Sequence, residues 1–180
     1  VKHNGPINDI KKLDLILGKN FFRNKINYKK NASLEAQLAS ISDDIAYNSH
    51  DLEDGLRANL YKIEDLKNIP ILSEIVSRHK KFIKTKGTEL MIRQVIRDII
   101  NEMVNDIIIN TKRNIKENKI KNINDIYNHN NLLVNFSNEM NYFDKTVKSF
   151  LKEKMYLSKD VIKKINKGKK IIKFLFLKIK

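Results

Sequence analysis

The sequence predicts an all-α fold, an irregular bundle of several helices. Only 5 of the 180 residues are glycine and 2 are proline, and no stretch shows the apolar–polar alternation of a half-buried strand. Apolar residues recur instead at intervals of three and four, most clearly over residues 90–107, which is the period of a helix packed on one face. With 41% hydrophobic and 32% charged residues, a chain of this length can bury a core of its own.

Capping and breaking residues predict where the helices begin and end. We expect a short helix over residues 9–17 that ends at Gly18, followed by a polar loop over 19–31. Ser33 is a good N-cap, and Glu35 suits the first turn of the next helix, which should run to residues 48–52, before Gly55. Further helices are predicted at 56–66, 71–81, 88–117, 140–156 and 158–177, with a break at 84–87 and, at 118–131, a loop that has room for one turn.

Composition restricts the class of protein. The absence of cysteine excludes a disulfide framework and a thiolate metal site, and it suits a reducing compartment. The first twelve residues lack the apolar run of a secretory signal. No uncharged apolar stretch approaches the roughly 20 residues that a spanning helix needs. We therefore expect a cytoplasmic protein without a membrane span.

The net charge of +15 is concentrated towards the end of the sequence, where residues 145–180 contain 13 basic and 2 acidic side chains. An anionic partner such as nucleic acid, nucleotide or anionic lipid is one interpretation. The other is codon composition, because Lys, Asn and Ile are all abundant here and all have AT-rich codons.

The run GKKIIKFLFLKIK from Gly168 onward predicts either a membrane-surface or anion-binding tail, or a closing helix whose apolar face packs on the bundle. We favour the packed helix.

The helix that follows Ser33 differs from the rest of the chain in its charge. Residues 34–66 hold eight acidic side chains against two basic ones. Its apolar stripe comprises Leu34, Leu38, Ile41 and Ile45. Asp43, Tyr47 and His50 fall on the opposite side, with Asp51 at its edge, so the pattern predicts a helix buried on both faces with a polar notch.

The notch has residue types that bind ligands. A carboxylate such as Asp43 suits a hard or borderline divalent metal. Tyr47 could pack on a sugar or base, and Asp51 could accept a hydrogen bond from a ligand hydroxyl. The pattern alone favours a simpler alternative, in which the acids pair with lysines and the tyrosine fills the core.

The segments LEAQLASISDDIAYNSHDLEDGLRANL (34–60) and VKHNGPI (1–7) resemble the deoxynucleoside triphosphate triphosphohydrolases of the HD superfamily, in particular the bacterial dGTPase-like branch. IRDIINEMVNDII (96–108) matches more weakly, and FSNEMNYFDKTVKSFLKEKMY (136–156) is similar to the phosphohydrolase-associated region. The resemblance implies a C-terminal portion. Residues 1–66 would then be the end of an HD domain that lacks its N-terminal helices, and residues 67–180 the phosphohydrolase-associated region with a basic tail.

Members of this family hydrolyse dNTPs to a deoxynucleoside and tripolyphosphate, using a divalent metal, Mn or Mg, held by an H…HD…D set. The resemblance maps the last aspartate of that set onto Asp43. It places Tyr47 and Asp51 at the deoxyribose, with Asp51 near the 3′-hydroxyl. In the family the other three ligands precede the KHNGP segment, which starts here at Lys2. The chain by itself is therefore expected to be inactive, and no catalytic residue is assigned.

A substitute metal set can be assembled from His50 and Asp51, with His3 upstream and Asp98 or Asp106 downstream. We reject it, because this His-Asp pair lies inside the matched block, at the position where the resemblance implies a sugar contact.

Three interpretations follow for the function of the chain. The first is a subunit that pairs with a separately encoded N-terminal half, which would leave a large apolar face exposed in the lone chain. The second is not an enzyme but a basic helical module that binds nucleic acid through its tail. The third is a non-functional remnant of a split gene. A homo-oligomer is compatible with the resemblance, because the family often forms rings.

Overall fold

The computed structural model describes residues 30–179 together with Lys11, Leu15 and Gly18, and for residues 80–86 it describes the backbone alone. Lys11 and Leu15 are helical, and Gly18 has a φ of 83°. The other residues of the predicted opening helix, and residues 19–29 of the predicted loop, lie outside the described residues.

Within residues 30–179 the secondary structure is helical and contains no strand, which confirms the all-α class. The elements are α1 (Leu34–Arg57), a 3-10 helix (Ile63–Asn68), α2 (Leu72–Lys86), α3 (Thr88–Glu117), α4 (Ile123–Asn128), α5 (Asn138–Leu151), a π-helical turn (Lys152–Tyr156) and α6 (Lys159–Lys178).

Several helix ends lie where the caps predicted them. Helix α3 has the predicted bounds, and α6 begins after Ser158, whose hydroxyl accepts a hydrogen bond from the Val161 N–H at 3.4 Å. Helix α2 continues beyond its predicted end at residue 81 into the predicted break, and it ends at Lys86, before Gly87, which has a φ of 85°. The predicted loop at 118–131 contains α4, which is capped by Asn122.

The predicted break before Gly55 and the predicted helix over 56–66 are both wrong. Helix α1 runs through Gly55, and a Cβ at this position would overlap the ring of Tyr61. The Tyr61 hydroxyl donates to the Leu52 carbonyl at 3.1 Å, and its ring packs edge-on against Phe150 with centroids 4.8 Å apart. Position 55 therefore requires glycine, because the chain folds back onto the helix and the Tyr61 ring lies where a Cβ would be. A glycine is tolerated in a helix interior, so α1 continues through it.

The described chain divides into two compact units. The first comprises residues up to Ala46 together with Met103–Ser137, and the second comprises Tyr47–Glu102 and Asn138–Lys180. Both α1 and α3 contribute residues to each unit. The division predicted at residue 66 concerns family domains and stays a prediction.

Side-chain amides organise the first unit. Gln37 is 2% exposed, and its Oε1 accepts hydrogen bonds from the N–H groups of Leu133 at 2.9 Å and Val134 at 3.1 Å. Its Nε2 donates to the Ala32 carbonyl at 2.8 Å. Because residues 133 and 134 belong to no helix, their N–H groups depend on this amide for partners.

Two asparagines of α3 bind the same irregular segment. The Nδ2 of Asn110 donates to the carbonyl of Asn135 at 2.8 Å, and the Nδ2 of Asn114 donates to the carbonyl of Leu133 at 2.9 Å. The Asp106 carboxylate accepts from the N–H of Ser137 at 2.8 Å. Polar side chains of α1 and α3 thus satisfy backbone groups that a helix or sheet would otherwise pair.

The second unit has an apolar core that includes Leu52, Leu66, Leu72, Ile75, Phe143 and Leu151, all at most 1% exposed. One buried charge, Asp144, lies at its edge. The carboxylate of Asp144 accepts from Nδ2 of Asn48 at 2.8 Å and pairs with Nζ of Lys148 at 2.8 Å. The pair and the amide offset the desolvation of this carboxylate.

Candidate functional site

Helix α1 carries the three predicted site residues at intervals of four, so Asp43, Tyr47 and Asp51 lie on successive turns of one helix. Asp43 is exposed, Tyr47 is 71% exposed and Asp51 is half-buried. The carboxylates and the phenol are thus accessible to a ligand. The alternative in which Tyr47 fills the core is wrong.

The expectation that α1 is buried on both faces is also wrong. Its buried side chains are Gln37, Ile45, Asn48, Ser49, Leu52 and Leu56, which form one face. Leu38, from the predicted apolar stripe, is 48% exposed. The prediction failed because three of the six buried residues are polar, and an apolar-periodicity argument assigns such residues to the surface.

Asp51 is held by two tyrosines. Its carboxylate accepts a hydrogen bond from the hydroxyl of Tyr156, at the end of the π-helical turn. Its backbone carbonyl accepts one from the hydroxyl of Tyr61 at 3.3 Å. Burial, the hydrogen bond and the negative charge of Asp51 raise the pKa of Tyr156 from 10.0 to about 12. The phenol therefore stays a neutral donor, and it orients one carboxylate oxygen.

Tyr61 has its pKa raised above its ordinary value for the same kinds of reason. Burial is the largest cause, and the neighbouring Asp51, Tyr156 and Asp54 add to it. Sequence reasoning missed both tyrosines, because Tyr156 lies 105 positions from Asp51 and no local spacing links them.

We expect these tyrosines to make the protein lose stability at alkaline pH. A folded-state pKa raised above the unfolded value contributes stability that is present below pH 10.0 and is lost as the pH rises through about 12. The free energy of unfolding should therefore fall between these values, and it should fall less steeply in Tyr156→Phe. Urea unfolding at a series of pH values, with Tyr142→Phe as the exposed-tyrosine control, measures this difference. An equal fall in both variants would contradict the assignment.

The alternative metal set is not assembled by the part of the chain that the structure describes. Across the side chains of residues 30–79 and 87–179, no group of three or more His, Asp and Glu residues is close enough to hold a metal ion. Asp98 lies instead against His79, and Asp106 binds the backbone of Ser137. His3 lies outside the described residues. A single exposed carboxylate does not fix the coordination geometry of a catalytic metal, so Asp43 fits such an ion only as one ligand of a larger set.

One polar pair was not found from the sequence. Nε2 of His79 on α2 lies 2.7 Å from Oδ2 of Asp98 on α3, with both side chains largely shielded from solvent. No spacing along the sequence links the two residues, because they lie on different helices.

Helix α6 does not pack as predicted. None of its residues, Lys159–Lys178, is buried, so the prediction of a closing helix with its apolar face on the bundle is wrong. Exposed apolar residues of this region are Ile162, Ile165, Ile171, Ile172, Phe174, Leu175, Phe176 and Leu177. No helix in the described part of the chain has the length and apolar character to cross a membrane.

Comparison with known proteins identifies relatives along the whole chain. It is 47% identical over 180 residues, all of its length, to a deoxyguanosinetriphosphate triphosphohydrolase-like protein of Pelagibacter ubique, of which it covers 48%. It is 35% identical over 98% of its length to a protein so named from Rickettsia felis, and 32% identical over 98% to one from Parvibaculum lavamentivorans, covering 45% and 46% of these. No protein-family model matches the chain.

The all-helical architecture of residues 30–179 is the fold class that the predicted phosphohydrolase resemblance implies. Its homologues are deoxyguanosinetriphosphate triphosphohydrolase-like proteins, which confirms that resemblance. The chain spans about half the length of the curated relatives it matches.

Proposed function

We propose that this chain supplies the sugar-binding helix and one metal ligand of a metal-dependent dNTP triphosphohydrolase, as its C-terminal portion. The observation that carries the proposal is the series Asp43, Tyr47 and Asp51 on successive turns of α1, in a chain 47% identical to a protein named deoxyguanosinetriphosphate triphosphohydrolase-like. In the reaction, water attacks the α-phosphorus, the ester bond to the 5′-oxygen breaks, and deoxynucleoside and tripolyphosphate leave.

Asp51 and Tyr47 are assigned to the deoxyribose. Tyr156 already donates to Oδ2 of Asp51, so Oδ1 is the oxygen that would accept a hydrogen bond from the 3′-hydroxyl. Tyr47 offers an exposed ring face and a hydroxyl one turn away. A carboxylate fixed by a neutral phenol needs little reorganisation when the sugar binds.

Asp43 is assigned to the metal, as one ligand. When bound, the metal would supply Lewis-acid activation of the phosphate and of water. We assign the other ligands to the half of the relatives that this chain does not match, and we therefore propose that the chain by itself does not hydrolyse dNTPs.

A chimera tests this proposal, with this chain in place of the matching half of the Pelagibacter ubique relative. We expect tripolyphosphate release from the chimera with Mn²⁺ or Mg²⁺ and none from the chain alone. Asp43→Asn should lower the rate by at least about a hundredfold, because a ligand lost from a metal site disrupts both affinity and geometry. Asp44→Asn, the adjacent carboxylate with no assigned role, is the matched control.

Kinetic constants separate the two assigned roles. Tyr47→Ala should raise KM for the dNTP more than it lowers kcat, because it removes ground-state binding to the sugar. A folded but inactive chimera beside an active parent, or hydrolysis by the chain alone, would contradict the proposal.

A further inference from the structure

Helix α6 presents an unusual surface, because its whole circumference is accessible. No residue of Lys159–Lys178 is buried, and Ile172 and Phe176 are 68% and 76% exposed. Large apolar side chains that stay in water are costly, and a contiguous group of them marks an interaction surface.

The two faces of α6 differ in chemistry. At about 100° per residue, Val161, Ile165, Ile172 and Phe176 fall on one face. The opposite face is rich in lysine, with Lys163, Lys167 and Lys170 among its members. The helix contains eight lysines and one acidic residue, Asp160, so its net charge is 8 − 1 = +7.

We propose that α6 binds the surface of an anionic lipid bilayer, with its axis in the plane of the membrane and its apolar face at the acyl boundary. An apolar face opposite a lysine-rich one, over a length of about 30 Å, is the pattern of interfacial helices. Lysine stems can extend along the apolar surface and place their ammonium groups among lipid phosphates. Helix α6 is too charged to span the bilayer, so it lies on the membrane.

Charge complementarity favours lipid over the other occupants of this surface. A protein groove would cover the apolar face and leave the lysines in solvent, whereas an anionic leaflet engages both faces, with its acyl layer and with negative charge at every position. Nucleic acid would bind the lysines but would leave the apolar face with Ile172 and Phe176 exposed to water. Phe174 lies on the lysine face, where Nζ of Lys178 is 5.6 Å from its ring centre, so it is expected to stay outside the acyl layer.

Vesicle binding of the purified chain tests the proposal without any nucleotide, so its outcome is independent of the proposed hydrolase function. The sequence contains no tryptophan, and Phe176→Trp therefore introduces a single fluorescent reporter on the apolar face. We expect a blue shift of its emission with phosphatidylcholine–phosphatidylglycerol vesicles, and cosedimentation that decreases with salt. Pure phosphatidylcholine vesicles should bind at least about tenfold more weakly.

Substitutions on the two faces identify the binding mode. Ile172→Gln should weaken vesicle binding at least about tenfold, because it removes an apolar side chain that the proposal places in the acyl layer. Phe174→Gln, about 160° away on the same helix and 60% exposed, is the matched control and should change binding less than about twofold. The triple variant Lys163→Gln, Lys167→Gln, Lys170→Gln should weaken binding about a hundredfold. Circular dichroism should show all variants folded, because none of these side chains is buried.

Three results would overturn the proposal. The first is no binding to anionic vesicles. The second is unchanged vesicle binding in Ile172→Gln, with duplex DNA displacing the vesicles, which would assign the lysines to nucleic acid. The third is a dimer, seen by analytical ultracentrifugation without lipid and dissociated by Ile172→Gln, which would assign the apolar face to a second copy of the chain.

Discussion

Replacing Gln37 with leucine is expected to lower the free energy of unfolding by about 3–5 kcal/mol. The substitution keeps a similar volume but removes the partner of two N–H groups, of Leu133 and Val134, and of the Ala32 carbonyl. A buried backbone group left without a partner costs about 1–3 kcal/mol. Urea unfolding followed by circular dichroism measures the difference.

Gln37→Glu is the matched control for this prediction. At acidic pH, where burial keeps its carboxyl protonated, it retains an oxygen that accepts both N–H bonds and an O–H that donates to the Ala32 carbonyl. Its loss should therefore be smaller than that of the leucine variant at the same pH. Equal losses in the two variants would show that the amide acts through its shape and that its hydrogen bonds contribute little.

Phe143→Ala is expected to destabilise the second unit by about 3–5 kcal/mol, which is the usual cost of removing a buried aromatic ring. Phe143 is 1% exposed and belongs to the most buried part of α5. The cavity left behind cannot close fully, because its neighbours are already packed. Thermal and urea unfolding should both report the loss.

The adjacent residue supplies the control. Tyr142 lies on the same helix and is 64% exposed, so Tyr142→Ala should cost less than about 1 kcal/mol. If Phe143→Ala lowered the free energy of unfolding no more than this control does, the Phe143 ring would not contribute to the core.

Much of the helical architecture could be predicted from local signals. Helix α3 and the Ser158 cap of α6 follow from apolar period and capping chemistry, which act within a few residues. Helix α1 was predicted too short, because Gly55 is a breaker by propensity alone. The close approach of Tyr61 that makes glycine suitable here is a tertiary contact.

The site was predicted in part. The Asp43–Tyr47–Asp51 series came from the family resemblance, and the structure shows the three residues on one helix, while their roles in metal and sugar binding stay predictions. Tyr156, which orients Asp51, could not be found from spacing. The packing of α6 was predicted wrongly, because an amphipathic pattern indicates that a face needs an apolar partner without indicating which partner covers it.

The amide network of the first unit has a consequence for sequence divergence. Gln37 and Asn114 bind main-chain atoms of residues 133 and 134, and every amino acid except proline presents the same N–H and C=O groups. These bonds therefore place no demand on the side chains of residues 133 and 134, which are constrained by burial alone, while positions 37 and 114 tolerate few alternatives. Among divergent relatives, we expect the amide residues at positions 37 and 114 on the helices to be more conserved than the residues of the irregular segment that they bind.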